Sequence, residues 1–195
     1  MEKIQVRFEP LDGHPREAFS CKYRPIQHFF RKYAEENHAS HKQRVFVACT
    51  DTDNSPLGFY SLTLMTFEAG MNDETDAKYK DRPVPAIYIG AIARDKHLSE
   101  PGFGVLLMED ALRRCLLVRE NVGVYALALH AANEEVASIY ESYGFSRFAN
   151  GEIKKDRDGN EMPAMFFKLA DAAEAFAEAS IEDHAVAAKT EEAAG

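Results

Sequence analysis

The chain has no tryptophan and only three cysteines, Cys21, Cys49 and Cys115. An odd number with no CxxC spacing predicts neither a disulfide framework nor a thiolate metal knuckle; it predicts buried free thiols. No residue near them marks an activated thiol nucleophile. The seven histidines form no HxH or HExxH pair, so no metal site is expected. No apolar run approaches the roughly 20 residues that span a bilayer, so no membrane partner is expected. The opening MEKIQVRFEPL lacks the basic-then-apolar order of a secretory signal, which makes the cytoplasm the expected compartment. A basic excess is also missing. The net charge is −9, which argues against a broad nucleic-acid surface. That charge is concentrated: residues 171–195 carry seven acids against Lys189 alone, −6 of the total, so residues 1–170 carry only −3. A nearly balanced body can still present a local basic patch.

What is present is an ordinary globular composition. With 195 residues, 46% hydrophobic and 28% charged, the chain can build one domain with its own core. Residues 3–8 alternate like a strand. Pro25 suits the first turn of a helix, and Ile26, Phe29, Phe30 and Tyr33 give that helix an apolar face to about residue 37 or 38. Residues 9–15 hold two prolines and a glycine and read as a loop. Residues 44–50 and 57–67 are strands joined by the turn-forming DTDNSP, an antiparallel hairpin. A polar connection fills 68–85. Residues 86–94, AIYIGAIAR, form a continuous apolar run, as a central strand buried on both faces requires. Residues 124–130, VYALALH, form another. Residues 133–143 read as a short helix with Asn133 as N-cap and Gly144 as its stop. Residues 145–148 and 162–169 add strands, and 151–160 reads as an exposed loop. From Ala170 on, the alanine- and glutamate-rich segment reads as a frayed helix or a disordered tail. The order of elements implies one α/β domain over 1–169 with a mixed central sheet.

Residues 92–112, IARDKHLSEPGFGVLLMEDAL, organise the whole. A strand ends near Arg94, a polar turn follows, then Gly102-Phe103-Gly104 and an amphipathic helix. Its apolar side carries Val105, Met108, Leu112 and Cys115. Glu109 and Asp110 stand four residues before Arg113 and Arg114, which predicts a solvated, self-paired opposite face. The first turn of a helix offers unpaired N–H groups at the positive end of the helix dipole, and glycines let a ligand approach them. The product is an anion site for a phosphate or pyrophosphate. Leu107 replaces the third glycine of a GxGxxG, and no lysine-serine pair follows the turn, so neither a Rossmann nor a Walker site is indicated.

Three features, AIARDKHLSEPGFGVLLMEDAL, then VYALALH followed by Asn133, then SIYESYGF at 138–145, together resemble the GCN5-related N-acetyltransferases (GNAT). The resemblance covers about residues 3–169. It implies the GNAT fold, a mixed central β-sheet with helices on both faces, and acetyl-CoA as co-substrate. In that family the turn cradles the CoA pyrophosphate, which here assigns Ser99, Gly102, Phe103, Gly104 and Val105 to cofactor binding. It implies that strand 86–94 splays from strand 124–130 to admit the pantetheine arm, with a backbone N–H of Ile92 or Arg94 as oxyanion donor. It gives Asn133 a contact to the cofactor arm beside its N-cap role, and it makes Tyr140 the general acid to the departing thiolate. Ser99 stands where the family has Gln or Arg, and Glu100-Pro101 replaces a Gly-Arg or Gly-Lys pair.

A narrower resemblance runs through FSC at 19–21, PIQHFFRKYAEENH, RVFVA, GFYSL and PVPAIYIGAIARD. These are similar to the acetyltransferase toxins of toxin–antitoxin pairs, which acetylate aminoacyl-tRNA. That resemblance implies an aminoacyl-tRNA acceptor, a small ribbon-helix-helix antitoxin and a homodimer. Arg24, Arg31, Lys32, Lys78, Lys80 and Arg82 are the basic candidates for tRNA contact. An acetyltransferase acting on a small-molecule or protein amine, and a non-catalytic acyl-CoA-binding module, stay open beside it.

Overall fold

The computed structural model describes residues 5–68, 79, 82–98, 101–149, 154–156 and 159–172. Ser99, Lys78, Lys80 and most of the acidic segment lie outside the described residues. In chain order the elements are β1 (Val6–Pro10), α1 (Arg24–Lys32), α2 (Ala34–Ala39), β2 (Arg44–Thr50), β3 (Gly58–Phe67), β4 (Val84–Arg94), α3 (Phe103–Arg119), β5 (Ala126–His130), α4 (Glu134–Ser142), β6 (Ser146–Arg147), β7 (Lys154–Lys155), β8 (Glu161–Met162) and β9 (Ala164–Lys168). Seven strands form one sheet in the order β1-β2-β3-β4-β5-β9-β6. All neighbours are antiparallel except β4 and β5, which run parallel. This is the mixed α/β architecture expected from the order of elements.

The β2–β3 turn closes as its composition dictates. Asp53 N–H donates to Thr50 Oγ1 at 3.0 Å, and Asp53 Oδ1 accepts the Ser55 N–H at 2.8 Å. Two boundaries differ from expectation. Glu9 and Pro10 belong to β1 rather than to a loop; β1 is an edge strand, where a proline costs no ladder hydrogen bond. The predicted helix from Pro25 is two helices, broken at Tyr33, whose φ of −120° is not helical. The break turns α2 onto the start of β2, where His38 Nδ1 accepts the Val45 N–H at 3.0 Å.

Helices cover both faces. Beneath α3 and α4 lies a core of Tyr60, Ile87, Ile89, Leu107, Met108, Leu127, Leu129 and Met165. On the other face α1 and α2 bury Phe30 and Ala34 against Val45, Val47 and Phe59. A third cluster, Val84, Ala126, Ala128 and Phe166 with Tyr88 at its margin, continues that second face toward β5 and β9. Strand alternation explains the division: Ile87, Leu127 and Leu129 point one way, Tyr88, Ala126 and Ala128 the other. Gly58 lets α3 approach the sheet; a Cβ there would stand 2.9 Å from Phe103 Cε1 and 3.0 Å from Leu107 Cδ1.

The charged side of α3 is not wholly solvated as expected. Asp110 is buried, because Tyr60 Oη donates to its Oδ2 and Arg114 Nε donates to the same oxygen at 2.9 Å. Arg114 also lies 4.0 Å above the Phe46 ring. The predicted i,i+4 pair exists, but it ties helix to sheet. All three cysteines are free and buried. Burial pushes Cys49 up to about 11 and Cys115 up to about 12, so these thiols stay protonated and unreactive at neutral pH. No helix among the described residues is long and apolar enough to cross a membrane.

Candidate active site

The two central strands pair over only three positions, Ala86 with Ala126, Ile87 with Leu127 and Tyr88 with Ala128. Beyond Tyr88 they part. On its other side β4 stays paired with β3 to Arg94, through a bulge at Gly90, since Ser61 faces Ala91 while Leu62 faces Ile89. The residues of β4 from Ile89 onward therefore expose one backbone edge to the gap. An exposed strand edge is a template for an extended ligand that pairs as an added strand.

A cleft of about 320 Å³ opens into this gap on the α3–α4 face. Ile92 and Arg94 bring the β4 edge to it, Gly102, Phe103 and Gly104 the start of α3, and Tyr140 the middle of α4. Gly102 caps α3 in the left-handed conformation, φ +81°, which favours glycine there. Phe103 and Gly104 N–H groups start the helix without an intrahelical carbonyl. Val105 differs: its N–H turns back to the Gly102 carbonyl at 2.9 Å, and it does not line the cleft. Arg94 is exposed, and its Nη1 donates to the Leu98 carbonyl, which holds the cation beside the turn. A cation and a helix N-terminus in one cleft suit a phosphate-bearing ligand.

Tyr140 packs against Tyr143 and Phe145, with ring centroids 6.3 and 5.6 Å away. Burial pushes its phenol well above the ordinary value, and the nearby hydroxyls of Tyr143 and Tyr23 push the same way. The group is thus held as a proton donor. Asn133 is the N-cap of α4: its Oδ1 accepts the Val136 N–H at 2.9 Å. Its Nδ2 donates to Tyr23 Oη at 3.2 Å, tying α4 to the residue before α1. Asn133 does not line the cleft. Tyr23 had no sequence signal, because only the fold brings it near Tyr140.

Among the tRNA candidates, Arg24, Lys32 and Arg82 are exposed, while Arg31 Nε donates to the Phe19 carbonyl at 2.7 Å. On the face away from the cleft, Tyr88 Oη and His130 Nδ1 lie 2.9 Å apart. A histidine ending an apolar strand was the available signal for this pair. Burial holds the His130 imidazole down at about 4, and the Lys154 cation adds to the effect. The folded value lies below the ordinary one of about 6.5. Its contribution to stability is therefore present above pH 6.5 and is lost as pH falls toward 4. The melting temperature should fall across that window, and less steeply in His130→Asn; thermal melts in a pH series measure this. Parallel slopes for the two proteins would refute it.

No family model matches the chain. Curated relatives do. A probable toxin TacT of Sinorhizobium fredii is 30% identical over 150 residues, covering 70% of this chain and 82% of the relative. A tRNA-acetylating toxin of Mycobacterium tuberculosis is 30% identical over 133 residues, covering 66% of this chain and 76% of the relative. Among solved structures, AtaT complexed with acetyl-methionyl-tRNAfMet superposes with a TM-score of 0.77 at 22% identity, over 88% of this chain and 99% of that one. A tyrosine-to-phenylalanine mutant of AtaT, bound to the C-terminus of the antitoxin AtaR and to acetyl-CoA, gives 0.67 at 21% identity, over 86% and 95%.

Proposed function

This chain belongs to the acetyltransferase toxins of the GCN5-related N-acetyltransferase family, and we propose that it transfers the acetyl group of acetyl-CoA to the amino group of an aminoacyl-tRNA. The observation that carries this reading is the parting of β4 from β5 beside a phenol and a helix N-terminus. The relatives' names supply the acceptor class.

The residues present fit acetyl-CoA. The free edge of β4 suits the amide-bearing pantetheine arm, and the N–H groups of Phe103 and Gly104 with the Arg94 cation suit its pyrophosphate. Acetyl-CoA, when bound, supplies the thioester carbonyl and the thiolate leaving group. The backbone N–H of Ile92 or Arg94 is aimed at charge developing on the acyl oxygen. Tyr140 delivers its phenolic proton to the departing sulfur. Holding both reactants across the parted strands removes part of the barrier as lost translational freedom. The body charge of −3 leaves room for a local basic surface, for which exposed Arg24, Lys32 and Arg82 are candidates.

A ribbon-helix-helix antitoxin is the partner we propose, and the cytoplasm the compartment. The test is CoA release on mixing the protein with acetyl-CoA and a purified aminoacyl-tRNA pool. Turnover that needs the aminoacyl group is expected. Turnover on small amines alone would move the reading to a metabolite acceptor.

A further inference from the structure

One buried-edge pair has no part in the chemistry described so far. His130 stands two residues past Ala128 on β5, level with Gly90, two past Tyr88 on β4. It is therefore at the mouth of the parted strands, where continued pairing would have set it beside the bulge. Alternation places it on the Tyr88 face, opposite the cleft that holds Tyr140. Gly90 is exposed on this side, between the cluster under α1 and the cluster around Tyr88. With the thioester donor in the cleft, as in the function proposed above, this face is the one left for the acceptor amine. Tyr88 Oη and His130 Nδ1 are 2.9 Å apart and the two rings meet edge to face.

Resting on the acceptor reading above, we propose that His130, held in orientation by Tyr88, takes the proton released by the acceptor amine. The tautomer this needs has Nδ1–H donating to Tyr88 Oη, which leaves the Nε2 lone pair free. Among the described residues, the ring's hydrogen bond is the one at Nδ1. The amine nitrogen forms the new C–N bond as the C–S bond breaks. Its surplus proton passes to His130 Nε2 and on to solvent, the departing sulfur takes the Tyr140 proton, and the Tyr140 phenolate regains one from solvent, so no net proton is gained or lost. Burial keeps the imidazole uncharged at neutral pH, so the lone pair is available. Burial and the Lys154 ammonium, 5.6 Å from the Tyr88 ring, both oppose a lasting imidazolium, so the proton is passed on to solvent rather than held. Tyr88 is a positioning residue: it touches the imidazole, not the reacting atoms.

The test compares the unaltered chain, His130→Ala and Tyr88→Phe on an aminoacyl-tRNA pool. The expected loss in kcat/KM for the acceptor is about 100-fold in His130→Ala. In Tyr88→Phe, which lacks one hydrogen bond, it is about fivefold. Calorimetry should give both variants an unchanged acetyl-CoA Kd, which also reports a folded cleft. Added imidazole should restore rate to His130→Ala, a response that a merely structural gap would not give. Without acetyl-CoA, an aminoacyl-adenosine with an amide in place of the ester should move the His130 Nε2 resonance. Full activity in His130→Ala, or a loss without imidazole rescue and without a resonance shift, overturns the proposal alone. No turnover by the unaltered chain overturns the acceptor reading and this proposal with it.

Discussion

Replacing Tyr140 with phenylalanine should lower acetyl transfer by about 100-fold or more, the range of a lost general acid. The ring stays, and with it the contacts to Tyr143 and Phe145. Only the hydroxyl is lost, so folding and acetyl-CoA affinity should be unchanged, and the deficit should lie in kcat. The raised phenol value gives the prediction a pH signature. A donor held above its ordinary value of about 10 stays protonated as pH rises, so the unaltered enzyme should keep its rate up to about pH 10.5, where an ordinary phenol would be mostly ionised. Tyr143→Phe is the control: Tyr143 also lines the cleft, and its loss should cost only a few-fold, about one hydrogen bond. Single-turnover measurement at saturating acetyl-CoA separates the two. In cells, the toxin reading adds growth arrest on expression, relieved by Tyr140→Phe. Equal rates for Tyr140→Phe and the unaltered chain would remove the phenol from the mechanism.

Local chemistry made much of this fold legible. DTDNSP closes a turn through its own side chains, Asn133 caps α4 as its amide predicts, and the apolar runs at 86–94 and 124–130 are the central strands. Reading failed where a distant partner decides. Asp110 looks solvated on a helical wheel and is buried because Tyr60, fifty residues earlier, donates to it. The helix from Pro25 breaks at Tyr33 because α2 must reach β2. Residues 151–160 read as loop, yet Lys154 and Lys155 pair with Met162 and Glu161 in a small hairpin turned by Gly159 at φ +85°. Two-residue strands carry too little periodicity to be seen.

The candidate site divides in the same way. Gly102, Phe103, Gly104 and Tyr140 lie in short motifs, and they meet with Ile92 and Arg94 in one cleft. The point at which β4 leaves β5 is a matter of register between strands some forty residues apart, and no local pattern states it. The groups on the far face, Tyr88 and His130, follow from that register alone. A site built on a parting of strands is read last, because its walls are defined by where pairing stops.

The other large expected effect is on stability. Phe59 is fully buried at the centre of an aromatic cluster, its ring stacked 3.9 Å from Phe30 and meeting Phe19 edge-on at 5.5 Å. These contacts anchor α1 and the segment before it to the sheet. Phe59→Ala removes the ring and leaves a cavity that two neighbouring phenylalanines on separate elements cannot both fill. The expected cost is about 3–5 kcal/mol, a third or more of what a domain of this kind has. With a urea m-value of about 2–3 kcal/mol/M, the unfolding midpoint should drop by about 1–2 M. Leu64→Ala, at a leucine 69% exposed on the same strand, should move it by no more than about 0.5 kcal/mol. The damage should also reach the site. Tyr23 stands one residue before α1 and joins Asn133 across the sheet, so loosening α1 releases that tie. Acetyl-CoA affinity should therefore weaken in Phe59→Ala and stay unchanged in Leu64→Ala. Equal midpoints for the two variants would mean that α1 is held by something other than this cluster.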